Sequence, residues 1–110
     1  MSHQHKDLAA GRWNRLSFLE QMANIGSEVE RALNWRVKKN TDYAQKAFER
    51  ALELIDLTLD NDKNYAHLRE VSRMREAIVD YFFGANQFMS SEYSWRKYFL
   101  PFVYASRRKH

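Results

Sequence analysis

The sequence contains no cysteine, one proline and three glycines. Without cysteine the chain cannot form a disulfide framework, a thiolate zinc site or a thiol nucleophile. It also has no stretch near the roughly 18 apolar residues that a membrane-spanning helix needs, and residues 1–15 lack the apolar core of a signal peptide. We therefore predict a cytoplasmic protein that makes no contact with a membrane.

The length of the chain and the spacing of its apolar residues are those of a folded domain. Its 110 residues suit one domain, and a hydrophobic fraction of 45% is enough to build one core. Apolar side chains recur at short, even intervals, which argues against disorder over most of the length. We predict a flexible N-terminal segment over residues 1–16, a helical domain over 17–106 and a basic tail over 107–110.

Helix start signals mark the first half of that domain. Ser17 and Glu20 have the spacing of a capping box, and apolar residues then follow at steps of three and four, which predicts a helix over residues 18–38. Gly26 lies inside this helix, either because another helix approaches closely or because the glycine is merely tolerated. Asn40 and the two residues after it can begin a second helix that extends to Leu59.

The second half repeats the pattern. A third helix is predicted from Tyr65 to Phe83, with Gly84 as its C-cap. Ser90 or Ser91 can cap a fourth, which Pro101 should kink or end early, because proline lacks an amide hydrogen. Short connections favour antiparallel neighbours, so the predicted fold is all-α, an antiparallel up-down four-helix bundle.

The sequence contains no recognisable catalytic or metal-binding motif. Metal sites in helical bundles use Glu-x-x-His pairs, whereas His67 and Glu70 stand in the reverse order. Gly-rich phosphate loops and Ser/His/Asp arrangements are missing, and so is the spaced Arg and His of HEPN-type nucleases, since the only late histidine is His110. We predict a protein that is not an enzyme and uses no metal and no cofactor.

Basic residues provide a positive indication of function. The formal net charge is +4, and residues 85–110 carry five basic groups against one acid. Clustered cations neutralise phosphates, which favours contact with RNA or DNA, although a basic surface that serves only solubility is the alternative. The residues predicted to bind nucleic acid or a partner are Arg12, Arg15, Arg69, Arg73, Arg96, Lys97, Arg107, Arg108 and Lys109.

Two further patterns concern partners. Glu49, Glu53, Asp56 and Asp60 fall at helical spacing, and this acidic stripe is interpreted as a solvated face. A cation site, or the docking of arginines from a neighbouring helix or subunit, is the alternative. Five aromatic residues fall off the inner faces of the helices and predict self-association, with lone surface aromatics as the alternative. These are Trp13, Trp35, Tyr43, Tyr65 and Tyr93.

The segments LAAGRWNRLSFLEQMANIGSEVERALNW (8–35) and AFERALELIDLTL (47–59) resemble small four-helix-bundle proteins of two related groups. These groups are the accessory variability determinants of diversity-generating retroelements and the ribosomal RNA intervening-sequence proteins. The resemblance implies a basic homopentamer that binds a reverse transcriptase and RNA or DNA. A protein-interaction bundle that binds no nucleic acid is the second hypothesis.

Overall fold

The computed structural model describes residues 11–108, apart from the side chains of residues 62 and 63. Its regular elements over that range are all helical and include no strand, so the predicted all-α class is confirmed. Residues 11–13 are helical as well. The long helices are α1 (Phe18–Val37), α2 (Thr41–Leu59), α3 (Leu68–Phe83) and α4 (Glu92–Arg108), with a 3₁₀-helix (Asp62–His67) before α3.

Side chains before the first turn determine where α1 and α2 begin. The amide of Glu20 donates to the Ser17 hydroxyl at 3.1 Å, and the amide of Ser17 donates to the Glu20 carboxylate at 2.9 Å. This reciprocal pair confirms the predicted capping box. Asn40 caps α2 in the same way, because its side-chain oxygen accepts from the amide of Tyr43 at 3.1 Å.

The start of α3 differs from its prediction. The helix begins at Leu68 rather than Tyr65, because the chain first winds through the tighter 3₁₀-helix. Asn64 holds this turn in place: its buried amide donates to the Gln21 side chain at 2.8 Å and to the Thr58 carbonyl at 3.1 Å. Gly84 does end α3, and its amide donates to the Asp80 carbonyl at 2.9 Å.

At the start of α4, Ser91 rather than Ser90 supplies the cap. The amide of Ser94 donates to the Ser91 hydroxyl at 3.0 Å, and the amide of Ser91 donates back to the Ser94 hydroxyl at 2.8 Å. The predicted early end at Pro101 is wrong, since α4 continues to Arg108. Pro101 is exposed, so the carbonyl that loses its helical partner lies where water can hydrogen-bond it.

The core is centred on α1, which packs extensively against both α2 and α4, while α3 packs mainly against α2. The largest fully buried side chains belong to α1, α2, α3 and the 3₁₀-helix. Trp95 and Phe99 of α4 close the core from the other side. The members of the cluster from the helices are Met22, Ile25, Val29, Ala32, Leu33, Ala47, Phe48, Ala51, Ile55, Leu57, Val71, Met74, Ile78, Trp95 and Phe99.

Gly26 is the position where α1 and α4 approach most closely. A Cβ atom built there would lie 2.8 Å from Cβ of Phe99, closer than two carbon atoms tolerate. Of the two interpretations of this glycine, the close approach of another helix is therefore confirmed. The absence of a side chain at Gly26 lets the Phe99 ring lie directly on the backbone of α1.

Both predicted boundaries of the helical domain need correction. Trp13 lies in the core with only 7% of its surface exposed, and its indole N–H donates to the Thr58 hydroxyl at 2.9 Å. Trp13 and Leu16 thus pack against the core although they precede the predicted domain, whereas residues 1–10 lie outside the described range. At the other end Arg107 and Arg108 belong to α4 and not to a separate tail, and residues 109 and 110 are not described.

Candidate nucleic-acid interface

Most of the predicted binding cations lie at the surface. Those that are exposed and form no ion pair with a described carboxylate are Arg12, Arg15, Arg69, Arg73, Lys97, Arg107 and Arg108. Lys109 lies beyond the described residues. Cations without internal partners keep their full charge for a ligand, because no carboxylate has to be displaced before they bind.

Arg96 is different from these seven cations. Its guanidinium lies 3.2 Å from the Glu30 carboxylate and 3.6 Å from that of Glu92, and it donates to the Asn34 side chain at 2.8 Å. Two carboxylates of the same chain therefore neutralise the charge of Arg96. The geometry assigns Arg96 to joining α4 with α1, in contrast to its predicted role as an exposed binding residue.

Aromatic contacts show which helix segments meet. The Phe18 ring stacks on the His67 ring with centroids 3.8 Å apart, and it contacts the edge of Phe102 at 6.2 Å. These contacts join the beginnings of α1 and α3 to the C-terminal half of α4. The segments that carry Arg15, Arg69 and the two last arginines of α4 consequently lie at one end of the molecule, while Lys97 belongs to the first half of α4.

The outward side of α4 combines aromatic and basic residues. Tyr93, Lys97, Leu100, Tyr104 and Arg108 follow one another at steps of four, three, four and four, the spacing of a single helix face. All five are exposed, and we call this set the outer stripe. Tyr93, Lys97 and Arg108 were predicted separately as contact residues, and the spacing that places all five residues on one face is readable from the sequence.

A groove of about 730 Å³ separates α3 from α4, the two neighbouring helices with the fewest mutual contacts. Its apolar walls comprise Met74, Ala77, Phe88, Trp95 and Tyr98, and its charged rim comprises Glu70, Arg73 and Glu76. A groove of this size can accommodate a ligand or the side chains of a partner helix. Sequence periodicity contains no signal for it, because its width depends on how far apart two helices pack.

Tyr98 and Glu70 connect the two sides of this groove. The Tyr98 hydroxyl donates to the Glu70 carboxylate at 3.0 Å. Burial raises the pKa of the Tyr98 phenol well above its ordinary value, and the negative charge of Glu70 raises this pKa further. Tyr98 accordingly stays protonated and serves as a hydrogen-bond donor rather than as a proton-transfer group.

The acidic stripe is exposed at all four positions. Asp56 forms a salt bridge with Arg75 of α3 at 2.8 Å, and Glu49 accepts a hydrogen bond from Gln45 at 3.2 Å. Among the side chains that the structure describes, no three His, Asp or Glu residues are arranged to hold a metal ion. Exposure agrees with the interpretation of a solvated face, whereas the pair of Asp56 with Arg75 shows that the stripe also docks one arginine of a neighbouring helix.

The five aromatic residues that predicted self-association have different surroundings. Trp13 is buried, so its assignment to an interface is wrong. Trp35 is half-buried and packs edge-to-face with Tyr43, with ring centroids 4.8 Å apart. Tyr65 and Tyr93 expose 71% and 72% of their surface, and they remain candidates for contact with another molecule.

None of the four long helices has the length and apolar character required to cross a lipid bilayer, as judged over the part of the chain that the structure describes. Comparison with protein-family models, with curated proteins and with solved structures finds no significant match to this chain. The case for a function consequently depends on the surface features above.

Proposed function

We propose that this chain is a non-enzymatic helical accessory protein that binds nucleic acid through exposed cations. The observation that carries the proposal is that seven of the predicted binding cations are exposed and have no described carboxylate partner. Phosphate contacts supply most of the affinity in sequence-independent nucleic-acid binding. A surface that leaves its cations unpaired has the property that such binding requires.

The proposal includes an antiparallel up-down order of the four helices. Contacts that support it run in opposite directions along neighbouring helices. Glu28 of α1 lies 3.5 Å from Arg50 in the first half of α2, whereas Trp13, before α1, bonds to Thr58 at the end of α2. Likewise Gly26 lies beside Phe99 of α4, while the earlier Phe18 meets the later Phe102.

The resemblance adds a homo-oligomer, pentameric if the resemblance holds, and a reverse transcriptase as partner in the cytoplasm. The mass from light scattering tests the oligomer, with the monomer mass of 13.2 kDa as reference. A reverse transcriptase gene beside a template repeat in the same genome would support the partner. A monomer at micromolar concentration, without such a neighbouring gene, would leave nucleic-acid binding as the whole of the proposal.

Salt dependence tests nucleic-acid binding directly. Fluorescence anisotropy of labelled single-stranded oligonucleotides should show affinity falling roughly fiftyfold between about 50 and 200 mM salt if about four phosphates are contacted. The double variant Arg69→Gln/Arg73→Gln should bind more weakly and show a shallower salt dependence. Absence of measurable RNA or DNA binding at low salt contradicts the proposal.

A matched control exists within the chain. Arg31 and Arg50 both pair with Glu28, at 3.1 and 3.5 Å. The double variant Arg31→Gln/Arg50→Gln removes the same two formal charges from a site where a carboxylate already offsets part of the charge. We expect it to bind nucleic acid nearly as the unaltered chain does, and an equal loss in both double variants would indicate that net charge alone determines the affinity.

The groove between α3 and α4 favours a second candidate, a protein-interaction bundle that docks an amphipathic helix of a partner. Its apolar walls match the apolar face of such a helix, and Glu70 and Glu76 on its rim match basic residues beside that face. Exposed Phe88 and Met89, at 58% and 86%, extend the apolar area next to the groove.

An amphipathic Leu/Lys peptide is the probe for this second candidate, and a Leu/Glu peptide of the same length is its control. Ala77→Trp fills the groove, whereas Ala66→Trp adds the same ring at an exposed site outside it. Calorimetric binding of the Leu/Lys peptide that Ala77→Trp abolishes and Ala66→Trp preserves would support docking. Binding of both peptides, or of neither, would exclude it.

A further inference from the structure

The two sides of α4 differ from those of an ordinary surface helix. Trp95 and Phe99 on its inner side are buried, with 5% and 4% of their surface exposed. On the opposite side Tyr93, Leu100 and Tyr104 expose 72%, 64% and 60% of theirs. A helix with apolar residues on both sides ordinarily meets a second surface, and the described helices cover only the inner one.

Charge identifies the chemistry of that second surface. Besides its exposed rings the outer stripe carries Lys97 between the two tyrosines, Arg108 after them and no acid. The only acid of α4 is Glu92, which lies 3.6 Å from Arg96 and so leaves the outer stripe positive. The Lys97 ammonium lies 5.8 Å from the centroid of the Tyr93 ring, which places a cation beside an exposed aromatic face.

We propose that single-stranded nucleic acid binds along the outer stripe, with bases stacked on Tyr93 and Tyr104 and phosphates bound by Lys97 and Arg108. This inference rests on the proposed function and narrows it to one helix face and one form of nucleic acid. Aromatic rings interleaved with cations are the arrangement that binds single strands, because every unpaired base offers a π-face and every nucleotide a phosphate.

Distances along the helix agree with this ligand. Eleven residues separate the two tyrosines, which corresponds to roughly 16 Å of helix rise. An extended single strand covers that distance with a few nucleotides, so one strand can contact both rings at once. In a duplex the bases stack on one another, so no base face is free to stack on the tyrosines.

Other candidate ligands match only some of the aromatic and basic residues of the outer stripe. A second copy of the chain packed α4 against α4 would bring Lys97 and Arg108 toward the same cations of its partner, at an electrostatic cost. An acidic peptide would match these cations without requiring flat aromatic rings. An anionic membrane would accept both aromatic and basic residues, but the outer stripe has Leu100 as its sole aliphatic side chain.

Fluorescence anisotropy with the full chain tests the inference. The probes are labelled oligothymidylate, a mixed-sequence duplex of equal length and phosphatidylserine-containing vesicles. Tyr93→Leu and Tyr104→Leu keep an apolar side chain and remove the ring, and each should lower the affinity for oligothymidylate roughly tenfold. Tyr65→Leu removes an equally exposed ring from the 3₁₀-helix and should change nothing.

The outcomes separate the two proposals. Preference for the single strand, together with loss of affinity in both stripe variants but not in Tyr65→Leu, supports the inference. Salt-dependent binding that ignores Tyr93 and Tyr104, or that favours the duplex, overturns the inference while nucleic-acid binding stands. No binding of either oligonucleotide overturns both, and tyrosine-dependent binding of vesicles alone assigns the outer stripe to lipid.

Discussion

Trp13 illustrates how a single buried side chain depends on partners far along the chain. Its indole N–H donates to the Thr58 hydroxyl, and its carbonyl accepts from the Gln21 side chain at 3.0 Å. Gln21 in turn accepts from Asn64 at 2.8 Å. These bonds satisfy buried polar atoms that would otherwise cost stability, and they attach the residues before α1 to α2 and to the 3₁₀-helix.

Tyr98 yields a pH prediction at the same scale. Its pKa in the folded protein lies above the value of about 10 for an unperturbed tyrosine. The stabilisation linked to its proton is therefore complete below about pH 10 and is lost as the pH rises further. In an alkaline titration followed by phenolate absorbance, Tyr98→Phe should remove the phenol that ionises last.

Tyr65→Phe is the control for that titration, because Tyr65 is exposed and lies outside the groove. It removes one phenol without changing Tyr98 or the groove. The prediction fails if Tyr98→Phe leaves the high-pH part of the curve unchanged.

Among the helices, α4 combines the largest number of unusual features. It continues past Pro101, packs Phe99 onto Gly26 and presents the outer stripe on its other side. Proline inside a helix removes one hydrogen bond and crowds the preceding turn, with a cost of about 3 kcal/mol. Packing of Trp95 and Phe99 against the core offsets that cost, which explains why the helix does not end where its sequence suggested.

Replacing this proline should stabilise the helix. Pro101→Ala restores the missing amide at an exposed position and should raise the free energy of unfolding by about 1 to 3 kcal/mol, measured by chemical denaturation. Pro101→Gly should gain about 1 kcal/mol less, because glycine is a poorer helix former than alanine. A lower stability for Pro101→Ala would mean that the bend imposed by proline is required for packing.

For the molecule as a whole, the arrangement is asymmetric. α1 packs against α2 and α4 on two sides, whereas α3 packs mainly on α2 and faces the groove. The two proposed binding surfaces, the outer stripe and the groove, consequently lie on or beside α4. They share no residue, so a single strand on the outer stripe and a helix in the groove would contact different side chains.

Hydrogen exchange should reproduce this asymmetry. Amides near Ile25 and Val29 in α1 should exchange most slowly, because opening α1 exposes the core on two sides. Amides of α3 should exchange faster, since this helix has one well-packed side. Mass spectrometry of exchanged peptides can make the comparison, and equal protection of α1 and α3 would show that the groove closes in solution.

The predictions from sequence succeeded where short-range chemistry determines the result. The capping box at Ser17, the Asn40 cap and the extent of α1 and α2 were all correct, because these features involve residues within one helical turn. The burial of Trp13 and the pairing of Arg96 with carboxylates were not predicted. Partners of these two side chains, Thr58 and Glu30, lie 45 and 66 residues away, and no local pattern identifies them.

The sequence by itself determined four helices, the residues on their inner faces and the exposed cations, since periodicity and charge are properties of each segment alone. Tertiary structure decided which cations keep their charge for a ligand, how closely α4 approaches Gly26 and how wide the groove beside α3 is. Those properties depend on the distances between helices, which result from the packing of side chains from all of them at once.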